Sequence, residues 1–425
     1  MRGVNAVFER RLRPYAPAPL AVAFSGGGDS LALLLLALDW AGARGRTVTA
    51  LTVDHGLNPD SAAWTRRCGE IAGRLGVPFH PLRWDGAKPA TGLPAAARAA
   101  RHALLADAAR DIGARVILLG HTADDLIEAA AMRDEGSTVS DPGEWGPSPA
   151  WPQGRGVFLL RPILGVRRAE IRDWLRERGE TWIDDPANED PRFARARARS
   201  TLSSPDGRGG PSEGWWRGPR PGASGPESMP LVLPPCTEPS PPRSAWSPSP
   251  CGGGLSLGIT APAAHIAAAC LCAAGTRRPP RGERLERLVT RLRSGEPFTA
   301  TLAGARIVSD GETAAFTRDP GRDGLPETAI EPRRPVVWDG RFEILSEVPG
   351  TVRALGGLSS RLPKAQQAVL RALPAAMRPT LPVMVSRDGA VCCPILAEHP
   401  SVRATALVLP RFEAAVGVVD GESAV

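Results

Sequence analysis

Apolar and polar positions follow two rhythms along this chain. Up to about residue 190, short apolar runs of strand length alternate with longer amphipathic stretches of helical period, the pattern of an α/β domain. Leu20–Phe24 reads as a strand, followed by the polar loop SGGGDS and an apolar helix to Trp40. Thr47–Val53, Phe79–Trp84 and Arg115–Leu119 read as further strands, with helices over Ser61–Leu75, Leu93–Ile112 and Arg168–Arg178. Three of the strands end in polar loops, and open parallel sheets bind ligands at those carboxyl ends. The expected fold is a Rossmann-like parallel sheet with helices on both faces, occupying residues 1–199. Within it Asp134–Gly156, with its WGPSPAWPQGRG stretch, is longer than a plain connection and suits a lid.

The rhythm stops at residue 200. Over 200–258, Gly, Pro and Ser fill 35 of 59 positions, too many for the segment to bury the surface that would offset chain entropy, so it reads as disordered. A compensated frameshift in the coding sequence would produce such a stretch, and so would a natural insertion. Trp215, Trp216 and Trp246 are unusual company for a solvated linker. Periodicity returns near Ala261. A middle helical domain over 259–319 carries helices at Ala261–Ala274 and Arg284–Arg293, with short strands at Phe298–Leu302, Ala305–Val308 and Thr313–Thr317. A small α+β region over 335–425 carries a helix near Lys364–Leu373 and strands at Val383–Ser386, Ala390–Ile395 and Ala404–Val408.

Charge and cysteines narrow the class. The net charge is +7, and only Lys88 and Lys364 of the 52 basic residues are lysine. The excess suits an anionic partner such as nucleic acid, although arginine-rich codon usage gives the same balance. The seven cysteines form no CxxC pair and no zinc-spaced cluster, so they read as small buried hydrophobes. No apolar run approaches the ~18 residues of a membrane helix, and the basic start lacks the apolar stretch of a signal peptide, so a cytoplasmic protein without a membrane partner is expected.

Ser25-Gly26-Gly27-Gly28-Asp29-Ser30 lies between a strand and a helix. Glycines there let backbone N–H groups approach an anion, the helix start adds positive partial charge, and Ser25 and Ser30 add hydroxyls. The loop lacks the GK[ST] of a Walker A motif and the G-x-G-x-x-G dinucleotide spacing. Asp29 beside bound phosphate would repel it unless Mg²⁺ bridged the two. Asp125 and Glu128 stand three apart on a helix and share a face, as do Arg98 and Arg101. Read alone, each pair suits a solvated helix edge as well as a site.

SGGGDS in this setting resembles the pyrophosphate-loop ATPases, which cleave ATP to AMP and pyrophosphate while adenylating a carbonyl oxygen. Further segments narrow the resemblance to the tRNA(Ile)-lysidine synthetases. They are Asp54-His55-Gly56-Leu57-Asn58-Pro59, the ARAARH run at 97–102, HTADDLIE at 121–128, LRPIL at 160–164 and DDPANED at 184–190 followed by Arg195, Arg197 and Arg199. TLAGARIV at 301–308 resembles that family's middle domain. The resemblance implies an ATP-dependent ligase that joins free L-lysine to the wobble cytidine of the CAU-anticodon isoleucine tRNA through an adenylated cytidine, using ATP and Mg²⁺. It implies ATP contacts from Ser25, Gly26, Gly27, Gly28, Asp29, Ser30, Asp54, His55 and His121. Catalytic roles fall to Asp29, Asp125, Glu128, Arg98 and Arg101, Mg²⁺ ligation to Asp29 and Asp125, and RNA contacts to Arg195, Arg197 and Arg199. Leu126 and Ala196 stand where the family carries Gln and Asn, and each removes a hydrogen-bonding side chain. Two alternatives remain at this stage. A tRNA thiolase would need cysteines near the ATP site, where only Cys68 precedes residue 200. An inactive RNA-binding relative would fail to exchange pyrophosphate with ATP.

Overall fold

A computed structural model describes residues 2–86, 88–134, 142–183, 246–248 and 250–423. The chain forms two compact units. The first comprises 1–148, 157–232 and 420–425, and the second 149–156 and 233–419.

The first unit opens with helix α1 (Arg2–Arg11) and continues β1 (Leu20–Ala23), α2 (Gly28–Gly42), β2 (Val48–Asp54), α3 (Ser61–Arg74), β3 (Phe79–Arg83), α4 (Leu93–Asp111), β4 (Val116–Leu118), α5 (Ala123–Asp134), β5 (Trp145–Pro147), β6 (Phe158–Leu160) and α6 (Arg168–Glu177). The strands form one sheet in the order β3-β2-β1-β4-β6-β5. All neighbours are parallel except β5, which runs antiparallel along β6 at the edge. Alternate residues of β1 serve opposite faces, as strand geometry requires. Leu20 and Val22 enter the core built with α2, while Ala21 enters the one that holds Leu105 and Ala109 of α4. The sheet is therefore covered on both faces, in keeping with the expected fold class.

Three elements of this unit were absent from the sequence reading. Helix α1 buries Val4 and Phe8 on one stripe, with Leu12 just beyond its end. Strand β5 lies inside the segment expected to form a lid, and β6 follows directly after it. Residues 149–156 instead belong to the second unit, where the Trp151 indole donates to the Gly340 carbonyl at 3.0 Å and Arg155 pairs with Glu343.

Asp420–Glu422 returns to the first unit. The Arg46 guanidinium donates to both carboxylate oxygens of Glu422, at 2.8 and 2.9 Å, with each side chain only 1% exposed. The Arg13 backbone N–H donates to the same carboxylate at 2.9 Å, and Glu422 N–H donates to the Arg11 carbonyl at 2.8 Å.

The second unit begins earlier than its periodicity suggested. β7 (Trp246–Pro248) and β8 (Leu255–Gly258) lie inside the stretch expected to be disordered, and Leu255 and Leu257 are buried. Residues 200–245 and 249 lie outside the described residues. Helices α7 (Ala263–Ala274) and α8 (Glu283–Arg293) follow, then β9 (Phe298–Leu302), β10 (Ala305–Ser309) and β11 (Thr313–Arg318). The sheet order is β7-β8-β11-β10-β9, so the three short strands expected over 298–317 pair with two earlier ones and the middle region is α+β. The chain continues through β12 (Thr328–Ile330), β13 (Val336–Trp338), β14 (Phe342–Ser346), β15 (Gly350–Ala354), α9 (Lys364–Ala372), β16 (Pro382–Ser386), β17 (Val391–Cys392), β18 (Val402–Ala406) and α10 (Val408–Ala415). These strands form two smaller sheets, β12-β15-β16-β17 and β13-β14-β18. Helix α10 shares its core with α7 and α8, through Val408 and Phe412, so the boundary near 320–335 does not separate two independent cores. Cys68, Cys270, Cys272, Cys392 and Cys393 are buried as small hydrophobes, and burial pushes the Cys270 thiol up to about 12. No helix among the described residues is long and apolar enough to cross a membrane.

Candidate nucleotide site

The site is built where the strand order reverses, at the carboxyl ends of β2, β1 and β4. The loop after β1 runs into α2 without a side-chain cap at Gly27. Ser30 Oγ bonds back to the Gly27 carbonyl at 2.9 Å and takes the Ser25 backbone N–H at 3.2 Å. The first helical bond is donated by Leu31 to Gly27 O. A helix start organised this way is an anion seat, because its leading N–H groups have no intrahelical acceptor.

Gly26 is required sterically. Gly26 sits at φ +80°, and a Cβ there would lie 2.5 Å from Ile183 Cδ1. The Ile183 N–H donates to the Gly26 carbonyl at 2.9 Å, and a Cβ on Gly28 would touch the Trp182 indole. Trp182 and Ile183, just before the acidic DDPANED run, thus form one wall of the loop. Gly120, at the end of β4, approaches the Asp29–Ser30 backbone so closely that a Cβ would come within 3.2 Å.

Acidic groups from two elements meet opposite the loop. Asp29 Oδ2 accepts from Arg168 Nε at 3.0 Å, Glu128 Oε1 from Arg168 Nη1 at 3.1 Å, and Asp125 Oδ2 lies 3.6 Å from Arg168 Nη2. Asp125 Oδ2 also accepts the Thr122 N–H at 2.8 Å and its hydroxyl at 3.0 Å, so it caps the start of α5 as well. Asp124 accepts the backbone N–H of Arg168 at 2.7 Å and pairs with Arg167. Burial raises the Asp29 carboxyl above its ordinary value, against the pull of Arg168. Burial also works upward on Asp125, but the Thr122 N–H, His121 and Arg168 outweigh it and hold the carboxyl low.

A cationic group lies beside them. Arg161 Nε donates to His121 Nδ1 at 3.3 Å and Arg161 Nη1 to the Gly143 carbonyl at 2.7 Å. Burial, with Arg161, Arg101 and Arg98 nearby, pushes the His121 imidazole down. The same burial and the same arginines bring His102 down to about 3. His55 is lowered by burial and by Arg101, and packs edge-on to Trp84 with ring centroids 6.2 Å apart. Arg98 and Arg101 therefore act electrostatically on the histidines at the ends of β2 and β4. Asp54 spends one oxygen on the Gly56 N–H at 2.7 Å, closing its own turn.

The structure thus brings together Ser25 to Ser30, Asp125, Glu128 and His121, and sets Arg98 and Arg101 near His55 and His121. Arg195, Arg197 and Arg199, the acidic run at 184–190 and Ala196 lie outside the described residues. Sequence reasoning missed Arg161 and Arg168. Arg168 carried a signal: two arginines at a helix start oppose the helix dipole and call for nearby acids.

The low value of His102 has a consequence for stability. An imidazole that titrates near 6.5 when unfolded and about 3 when folded favours the folded state fully above about pH 6.5. That contribution is lost as the pH falls from there toward 3, by up to about 1.4 kcal/mol per pH unit for one group. Amides of β1 and β4 should therefore exchange faster at pH 5 than at pH 7 after correction for intrinsic rates, and His102→Gln should flatten the difference.

A sheet parallel in all but its edge strand, with an uncapped glycine loop after β1, defines a nucleotide-binding domain of the pyrophosphate-loop class, and a PP-loop domain model matches residues 3–205. The chain is 50% identical over 430 residues to the tRNA(Ile)-lysidine synthase of Caulobacter vibrioides, covering 99% of this chain and 98% of that protein. It is 34% identical to the tRNA(Ile)-lysidine synthase of Rhizobium meliloti, over 80% of this chain and 75% of that one. Among solved structures, the U34-tRNA thiolase NcsA from Methanococcus maripaludis is 15% identical, with a TM-score of 0.39 over 47% of this chain and 71% of that chain. The chain belongs to the tRNA(Ile)-lysidine synthase family.

Proposed function

We propose that the protein uses ATP to adenylate the wobble cytidine of the CAU-anticodon isoleucine tRNA and then joins L-lysine to it, giving lysidine, AMP and pyrophosphate, in the cytoplasm. The observation that carries this reading is the uncapped Gly27–Ser30 helix start, whose Asp29 converges with Asp125 and Glu128 on Arg168, in a chain of this family.

The loop N–H groups and the Ser25 and Ser30 hydroxyls bind the ATP phosphates, with Arg98, Arg101 and Arg161 supplying positive charge nearby. Asp54 and His55, at the end of β2, face the nucleoside side of the same ligand. Asp29 and Asp125 fit Mg²⁺ in its usual manner, in which one or two carboxylates bind the ion and substrate phosphates and water supply the rest. The described residues hold no group of three or more His, Cys, Asp or Glu side chains arranged for a metal on their own. Bound there, Mg²⁺ would neutralise charge on the departing pyrophosphate. In the first step the cytidine O2 bonds to the α-phosphorus and pyrophosphate leaves. In the second the lysine ε-amine bonds to C2 and AMP leaves. The amine must lose its proton to attack, and Glu128 is proposed to orient the ammonium and take that proton. Arg195, Arg197 and Arg199 are proposed to contact the RNA. Helix α8 offers a further basic face, with Arg284, Arg287, Arg291 and Arg293 exposed opposite the buried Leu285, Leu288 and Leu292. Such a face suits phosphate contacts on a tRNA body.

The test mixes the purified protein with ATP, Mg²⁺, labelled lysine and a CAU-anticodon isoleucine transcript. Label should enter that tRNA and not a methionine tRNA with the same anticodon. No incorporation by folded protein would overturn the activity, and equal labelling of both tRNAs would overturn the specificity.

A further inference from the structure

The acids at the nucleotide site point at a group of the chain itself. Arg168 stands at the first position of α6, and its guanidinium offers one nitrogen to each of Asp29, Glu128 and Asp125, at 3.0, 3.1 and 3.6 Å. Its backbone N–H is held by Asp124 at 2.7 Å. A planar fork with fixed donor directions meets each of the three carboxylates with a different nitrogen, whereas an ammonium would have to meet all three with one. Its aim is fixed from behind as well. Ile171 and Leu175, three and seven positions further along α6, are fully buried in the core of the same unit. A helix start is an unfavourable place for arginine, so this position carries a cost that Asp124 offsets.

Three converging carboxylates without a cation between them would repel one another or collect a metal ion. The geometry points to Arg168 as a positioning residue and internal counter-cation, which keeps Asp29, Asp125 and Glu128 converged in the nucleotide-free protein and keeps a divalent cation from settling among them until ATP brings one. The Asp125 contact is the longest of the three and is the first to be given up when the ion arrives. The contacts to Glu128 and Asp124 keep Arg168 in place afterwards. This inference rests on the reading of Asp29 and Asp125 as the cation ligands, and it adds what holds them ready and how an idle site avoids trapping metal.

Mn²⁺ binding to the full chain without ATP, followed by electron paramagnetic resonance, tests it separately from turnover. Arg168→Gln should bind Mn²⁺ about tenfold or more tightly than the parent, because three carboxylates lose their shared partner. Arg168→Lys should fall between the two, since one ammonium cannot fork. Arg167→Gln, whose partner is Asp124 alone among the described ion pairs, should leave Mn²⁺ affinity unchanged. In ATP–pyrophosphate exchange, Arg168→Gln should lower the maximal rate and shift the Mg²⁺ concentration for half-maximal rate, and Arg168→Lys should partly restore both. Folding of each variant is checked by circular dichroism, and Arg168→Lys decides the question if Arg168→Gln does not fold. Mn²⁺ affinity no tighter than the parent's in the folded variants would overturn the proposal. Failure to make lysidine would leave the Mn²⁺ result standing, so the two readings fail separately.

Discussion

Asp29→Ala is expected to cut pyrophosphate release from ATP by about 10³-fold, equivalent to about 4 kcal/mol of lost transition-state stabilisation. The residue lies in the first turn of α2, beside the anion seat, and its carboxylate is one of three that face Arg168. Its removal takes away charge at the place where the reacting phosphates are proposed to bind. The fold should tolerate the change, because Arg168 keeps Glu128, Asp125 and the Asp124 link. ATP–pyrophosphate exchange, with a thermal melt on the same sample, separates the two effects. Exchange at the parent rate would remove Asp29 from the reaction.

The largest stability effect is expected from Glu422→Ala. That carboxylate takes two N–H groups from Arg46 and one from Arg13, in a pair almost closed to solvent. Without it the Arg46 guanidinium stays buried with only the Arg13 and Ala18 carbonyls, each at 2.7 Å. Breaking a buried pair from one side costs about 3–5 kcal/mol, which in a unit of this size lowers the melting temperature by about 10 °C. The double change Arg46→Met with Glu422→Leu should recover much of the loss, since no charge is then stranded. Calorimetry on the parent and the two variants would show this, and an unshifted melt for Glu422→Ala would refute it.

The sequence was most legible where one pattern implied one structure. The strands around LAVAF and TVTALTV were plain because parallel strands buried on both faces read as continuous apolar runs. The SGGGDS loop was plain because its function constrains its backbone. Other parts were hidden for physical reasons. Val4 and Phe8 mark a buried stripe, but the arginines around them dominate the reading of the first residues. β5 and β6 are three residues each, too short to display a period. Val408 was read as the end of a strand, yet β18 stops at Ala406 and Val408 opens α10, where Pro410 is tolerated in the first turn. At the site, Asp125 and Glu128 could be paired by their helical spacing. Their partner Arg168 lies 40 residues beyond Glu128, and only tertiary structure brings it back.

The return of Asp420–Glu422 to Arg46 also orders events during synthesis. Residues 233–419, the bulk of the second unit, leave the ribosome before Glu422 does. The pyrophosphate-loop unit can form its sheet while they emerge, but Arg46 has no counter-charge until they have all been made. A nascent chain stalled within the second unit therefore carries a nucleotide-binding unit that is assembled but not locked, open to proteases at the site where the finished protein is sealed.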